Sequence, residues 1–234
     1  MNLLLLRDQD FLADGTARLS GRRLLHAREV LRAAAGDVLR VGRLGGGLGN
    51  GLVVRLTEDE LVLRCELLDP PPARPGVDLL LAIPRPKALR RILPAAASLG
   101  VDRIVLCNAA RVEKSYFDSK VLAQVEELLV LGLEQARDTR LPQVLVRERF
   151  RPFVEDELDA VFAEGARLLA HPGAEREPPR TEGRVVLAIG PEGGWVEFEV
   201  ALLEARGFIP FQLGPRPMRV EVALPYALGA LARR

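Results

Sequence analysis

Five consecutive aliphatic residues, Val185-Val186-Leu187-Ala188-Ile189, run directly into Gly190-Pro191-Glu192-Gly193-Gly194. An unbroken run of that kind reads as a strand buried on both faces, the situation of a parallel sheet covered by helices on each side. Val196 to Arg206 then shows helical spacing at Val196, Val200 and Leu203, carries Glu197 and Glu199 in its first turn, and stops at Gly207. Ile209 to Leu213 returns as a strand and leads into Gly214-Pro215-Arg216-Pro217-Met218-Arg219-Val220-Glu221. A terminal helix of small and aliphatic residues follows to Leu231.

The same alternation extends upstream. Strand-like runs at Leu79 to Ile83, Arg103 to Cys107, Val144 to Val146 and Leu168 to Ala170 are separated by helical stretches. Those helices are expected up to Leu99, near Val121 to Arg137, and around Val154 to Ala163, the last one acidic. Strands alternating with helices imply an α/β domain with a doubly covered parallel sheet. Pro94 inside the first of these helices predicts a kink or a late start.

Pro70-Pro71-Pro72-Ala73-Arg74-Pro75-Gly76 can continue neither a helix nor a central strand and reads as a stiff linker. The expected domains are therefore residues 1–70, a linker at 71–76, and residues 77–234. Before the linker the pattern is mostly β: an opening strand, a helix near Arg22 to Ala34, and strands at Val38 to Val41, Gly51 to Leu56 and Leu61 to Leu67. The glycine-rich run from Gly42 to Gly51 reads as a hairpin-type connection.

Composition excludes several classes. No apolar run approaches the ~20 residues of a membrane span. The stretch Leu3 to Leu6 is too short for a signal-peptide core, so a cytoplasmic location is expected. Cys65 and Cys107 fall in apolar strands without a neighbouring histidine, which argues against a zinc site or a disulfide scaffold and for buried thiols. No His, Cys or carboxylate cluster suggests any metal. Net charge is only +1, but Arg85, Lys87, Arg90 and Arg91 are grouped with no acidic residue between Asp78 and Asp102. Such a cluster can hold phosphate on one side of a nearly neutral protein.

In open α/β sheets, ligands bind outside the carboxyl ends of strands, which is where both Gly- and Pro-rich loops fall. Taken alone, Gly-Pro-Glu-Gly-Gly is as well explained by a tight turn with Glu192 complementing the helix dipole. The second loop, with Arg216, Arg219 and Glu221 within six positions, makes a site the better reading.

The two loops resemble the signature of the RsmE family, the ribosomal RNA uridine-N3 methyltransferases of the SPOUT class. There Gly-Pro-Glu-Gly-Gly is followed by Leu-Gly-x-Arg-Ile-Leu-Arg-x-Glu-Thr-Ala, and this chain supplies Leu213, Gly214, Arg216, Arg219, Glu221 and Ala223. His26-Ala27-Arg28-Glu29-Val30-Leu31-Arg32, Leu99-Gly100-Val101, Glu134-Gln135-Ala136-Arg137 and His171-Pro172 extend the likeness over nearly the whole chain. Departures are Pro217 and Met218 for Ile-Leu, Val222 for Thr, and Ser98 for a common Glu.

The resemblance implies a SPOUT-type trefoil-knotted parallel-sheet methyltransferase domain, preceded by a small PUA-like β-barrel domain. It implies S-adenosyl-L-methionine as cofactor, held by Leu169, His171, Ile189, Gly190, Gly194, Leu213, Gly214 and Met218. The substrate it implies is 16S ribosomal RNA in the 30S subunit, with His26, Arg28, Arg32, Lys87 and Arg216 as RNA contacts and a homodimer as the assembly. Arg219 would stabilise the uridinate, Glu192 would act as base or orienting group, and Glu221 would hold Arg219. Two alternatives stay open: a SPOUT methyltransferase of another RNA base, and an inactive RNA-binding assembly factor with a remodelled pocket.

Overall fold

A computed structural model of the chain describes residues 3–231 and divides into two compact units. The first comprises the chain up to Ala73 together with Leu133–Leu141; the second comprises Arg74–Gly132 and the chain from Pro142 onward. The expected end points at residues 1 and 234 lie outside the described residues.

In the first unit, β1 (Leu4–Leu6), β2 (Thr16–Leu19), β3 (Val38–Arg43), β4 (Leu48–Leu56) and β5 (Leu61–Asp69) form one sheet in the order β1-β3-β4-β5-β2. β1 pairs with β3 in parallel and the other neighbours are antiparallel. Leu4, Leu6, Leu19, Val41, Val53 and Leu63 bury their side chains together, covered by Leu24 and Ala27. The last two come from α1 (Gly21–Leu25) and the wider π-type turn His26–Val30 that continues it.

Three expectations need correction here. β2 is an additional strand, too short and too mixed in character to show in the pattern. The helix expected to reach Ala34 ends at Val30, and Arg32 has a left-handed φ of 52°, incompatible with continued helix. The glycine run is largely strand: Gly42 pairs with Leu48 within β3 and β4, so only four residues form the connection. Gly49 is required because a Cβ there would collide with the Glu66 carbonyl of β5.

Glu134 is 1% exposed and receives both Nη groups of Arg22 at 2.9 and 3.0 Å. A buried carboxylate matched by a bidentate guanidinium avoids the penalty of an uncompensated charge. The 133–141 segment is thereby fastened within the first unit.

In the second unit, β6 (Val77–Ala82), β7 (Val101–Cys107), β8 (Gln143–Arg147), β9 (Ala166–Ala170), β10 (Val185–Ile189) and β11 (Ile209–Phe211) form an all-parallel sheet ordered β11-β9-β10-β6-β7-β8. Every residue of β10 is buried, as its unbroken apolar run requires. The intervening helices are α2 (Pro86–Ser98), α3 (Val125–Ala136), the short α4 (Phe150–Pro152) and α5 (Leu158–Val161), α6 (Glu197–Ala205) and α7 (Val220–Leu231). One sheet face packs Leu80, Val105, Val186 and Ala188 against Phe153, Phe162 and Leu203. α2 and α7 pack on each other.

α2 starts without delay at Pro86, whose missing N–H is no loss in the first turn, and it carries Pro94 inside. The acidic helix begins four residues earlier than expected and is interrupted by a π-type turn at Phe153–Glu157. At the amino ends of the strands, Arg184 reaches Asp78 and Asp102 at 3.1 Å each, and Arg74 reaches Asp102 at 3.2 Å. Burial pushes the Asp78 carboxyl up, against the pull of Arg184 and Arg103. A cleft lies beside this network, but its Asp78, Asp102, Arg103 and Arg184 are already paired with one another, as expected of a structural clasp.

Cys107 is wholly buried as expected, whereas Cys65 is only half-buried. Desolvation still pushes the Cys65 thiol up to about 11. About one molecule in a thousand then carries its thiolate at pH 8. Neither cysteine should react with iodoacetamide at pH 8 within the time that alkylates free glutathione, and both should react in denaturant. Rapid labelling of the native chain, read by mass spectrometry, would contradict the burial described.

Candidate active site

The carboxyl ends of β9, β10 and β11 open into one cleft, lined by residues 170–172, 189–195 and 212–218 together with Val220 and Ala223. The two loops singled out in the sequence thus meet, joined by the short loop after β9. The His171 N–H donates to the Phe211 carbonyl at 2.9 Å, and the Gln212 N–H donates to the Arg176 carbonyl at 2.7 Å. These bonds hold the β9 and β11 loops together.

The β10 loop is held from two other directions. Glu192 Oε1 accepts the Arg85 N–H at 3.0 Å, tying the loop to the residue that precedes α2. Glu199 is 2% exposed; its oxygens accept the Ala110 N–H at 2.7 Å and the Val196 N–H at 3.0 Å. The Arg111 guanidinium donates to the Gly193 carbonyl. Gly194 has φ of 73°, where a side chain would be strained, and its N–H donates to the Pro191 carbonyl at 2.8 Å.

Of the expected cofactor residues, His171, Ile189, Gly190, Gly194, Leu213, Gly214 and Met218 all line the cleft. Leu169 does not: it is fully buried in the core on β9, and the wall begins one residue later at Ala170. Glu192 and Arg216 also line it. Arg219 is exposed between two lining residues, Met218 and Val220, and its side chain makes no hydrogen bond or ion pair among the described residues.

Glu221 does not hold Arg219. It pairs with Arg91 of α2 at 3.6 Å, because the first turn of α7 faces α2. Lys87 is exposed in the first turn of α2, beside exposed Arg85, Arg90 and Arg91. In the first unit, His26 and Arg28 are half-buried, with Arg28 donating to the Glu58 carbonyl at 3.3 Å, and Arg32 is exposed.

Several contributors were not visible in the sequence. Trp195 is 4% exposed, packs against Phe150 with ring centroids 5.5 Å apart, and forms part of the wall. Its Nε1 and the Nδ1 of His171 are buried without a hydrogen-bond partner. Gln212 and Arg111 were likewise not singled out. Among the described residues no group of three or more His, Cys, Asp or Glu could hold a metal ion, and no helix is long and apolar enough to cross a membrane.

An RNA methyltransferase domain model matches residues 72–232. The chain is 34% identical over 234 residues to the ribosomal RNA small subunit methyltransferase E of Treponema pallidum, covering 95% of this chain and 87% of that one. It is 27% identical to the protein of the same name from Synechocystis, covering 93% and 73%. In fold it matches the Neisseria gonorrhoeae ribosomal RNA small subunit methyltransferase E bound to S-adenosyl methionine, with a TM-score of 0.79 at 23% identity over 99% of this chain and 95% of that one. With 87% of the Treponema pallidum protein matched at 34% identity, an RNA methyltransferase domain over residues 72–232 and both signature loops assembled at one cleft, the chain belongs to the ribosomal RNA small subunit methyltransferase E family.

Proposed function

We propose that the protein transfers the methyl group of S-adenosylmethionine to N3 of a uridine in 16S ribosomal RNA of the 30S subunit. The observation that carries this is the convergence of residues 189–195 and 212–218 on one cleft at the carboxyl ends of β9, β10 and β11. Its walls combine the apolar side chains of Ile189, Leu213 and Met218 with backbone groups of three loops. That mixture suits an adenosyl group and a thioether, and the buried unpartnered atoms of His171 and Trp195 mark a site whose polar groups are not all satisfied within the chain.

The cofactor supplies an electrophilic methyl group on sulfur; the chain must supply a nucleophile and a position. Uridine N3 attacks only after losing its proton, so the site must favour the uridinate. Arg219, at the cleft rim with its charge unmatched, is the group for that role. Glu192 spends Oε1 on the Arg85 N–H and acts as an orienting residue, leaving Oε2 to accept the proton or a uridine-bound water. Bond formation from N3 to carbon accompanies departure of the neutral thioether, and its rate depends on alignment.

RNA would run along exposed Arg85, Lys87, Arg90 and Arg216 and be gripped by the first unit through His26, Arg28 and Arg32, the first unit acting as a PUA-like domain. Half-exposed Val222 and Tyr226 on α7 offer an apolar face for a second copy, consistent with a knotted SPOUT dimer working in the cytoplasm. Two of the departures from the family pattern lie away from the cleft wall and do not favour an inactive factor. Val222 is off the cleft wall, and Ser98 Oγ is used within α2, donating to the Ala95 carbonyl at 2.9 Å.

The test is incubation with tritiated S-adenosylmethionine and 30S subunits from cells lacking uridine-N3 methylation, followed by digestion and nucleoside identification. Label in 3-methyluridine at one position is the expected result. Label in another nucleoside would overturn the target, and absence of cofactor binding would overturn the activity.

A further inference from the structure

A second cleft, of about 550 Å³, opens beside the first and shares His171 and Trp195 with it as a common wall. Its remaining surface comes from Arg111 and one side of α6 along nearly its whole length, from Glu197 and Phe198 at its start to Glu204 near its end. None of these residues has a part in the transfer chemistry. We propose that this cleft receives the base of an RNA nucleotide neighbouring the methylated one, and that it selects a base bearing an exocyclic amino group. The proposal rests on the RNA methyltransferase reading above.

Three features favour a base. Phe198 is 53% exposed, more open to solvent than the half-buried Val200 and Leu202 and the buried Leu203 of the same helix, and the Arg151 guanidinium lies 6.0 Å from its ring centroid. Arg151 is steadied by Glu155 at 2.8 Å. An aromatic ring beside a guanidinium is the surface on which unstacked RNA bases are held. The volume is adequate for a nucleoside.

The third feature sets the preference. Glu197 and Glu204 line the cleft, and their carboxylates make no hydrogen bond or ion pair among the described residues. An ionised carboxylate only accepts, so it rewards a ligand that donates. Cytosine, adenine and guanine offer amino groups, while uracil presents carbonyl oxygens on both sides of its single N–H. Exposed Arg111, held at the mouth through the Gly193 carbonyl, places a positive charge where the nucleotide phosphate would sit.

Trp195 is the only tryptophan of the chain, so its emission reports on both clefts. With the first cleft filled by saturating S-adenosylhomocysteine, cytidine 5′-monophosphate should quench that emission saturably and bind at least about fivefold more tightly than uridine 5′-monophosphate. Phe198→Ala should weaken the cytidine nucleotide by about fivefold or more without changing affinity for S-adenosylhomocysteine. The double change Glu197→Gln with Glu204→Gln should erase the difference between the two nucleotides. Equal binding of both nucleotides, no saturable quenching, or an unaltered Phe198→Ala variant would overturn the proposal. Failure of S-adenosylhomocysteine itself to bind would instead remove the methyltransferase reading.

Discussion

Replacing Arg219 by alanine lowers the rate of methyl transfer to RNA by roughly 100- to 1,000-fold and leaves S-adenosylmethionine affinity within about twofold. The backbone at this position is fixed, because the Arg219 carbonyl accepts the Val222 N–H at 2.9 Å and the Ala223 N–H at 2.8 Å to start α7. The side chain is exposed and makes no bond among the described residues, so its removal changes stability by only about 0.5 kcal/mol or less. Its flanking residues, Met218 and Val220, both line the cleft. A charge held at the rim of the cleft and committed to no partner among the described residues is free, under the proposed function, to face a uridinate. Arg219→Lys keeps the charge but loses the planar fork, so it should recover part of the rate. Single-turnover rates alongside calorimetric cofactor binding decide the matter: unchanged turnover sinks the role, and a cofactor affinity that collapses with the rate moves Arg219 into binding.

Glu199→Ala has the largest expected effect on stability. Two charge-assisted hydrogen bonds, to the Ala110 and Val196 N–H groups, disappear together, and a space opens at a residue that is 2% exposed. The loss is about 2 kcal/mol after partial rehydration of the two N–H groups, equivalent to a fall in Tm of roughly 4–8 °C for a chain of this size. Because Glu199 fastens the start of α6 to the segment after β7, the damage extends to Trp195 and Arg111, and cofactor affinity should fall with Tm. Glu199→Gln keeps one acceptor and should lie between. A Tm within about 2 °C of the parent would show that water replaces the carboxylate without cost.

The sheet of the second unit was legible because its central strands, β6 and β10 above all, are buried on both faces. β10 spans the five residues that its run marks out, and α6 stops before Gly207. The cleft was legible for a related reason, since loops at the carboxyl ends of neighbouring parallel strands converge. What local pattern could not show is which distant groups meet. Glu199 and Ala110 are 89 positions apart, and nothing near either one announces the other. Glu221 lies two residues from Arg219 and was expected to hold it; the helix turns it toward Arg91 instead. Gly42 and Gly49 misled in the opposite direction. Glycine signals a turn on average, but Gly49 serves close approach to Glu66 within a strand.

The position of β10 between β6 and β9 has a consequence for the protein's birth. The chain emerges from the ribosome in sequence order, and β10 follows β6 by roughly a hundred residues. At about 5–20 residues per second, the apolar edge at Val77–Ala82 waits on the order of 5–20 s for the strand that closes it. A nascent sheet of β6, β7 and β8 is therefore an open template, able to accept a strand from any other unfinished chain. The hazard is set by strand order and not by stability, so strengthening the finished core does nothing to shorten it.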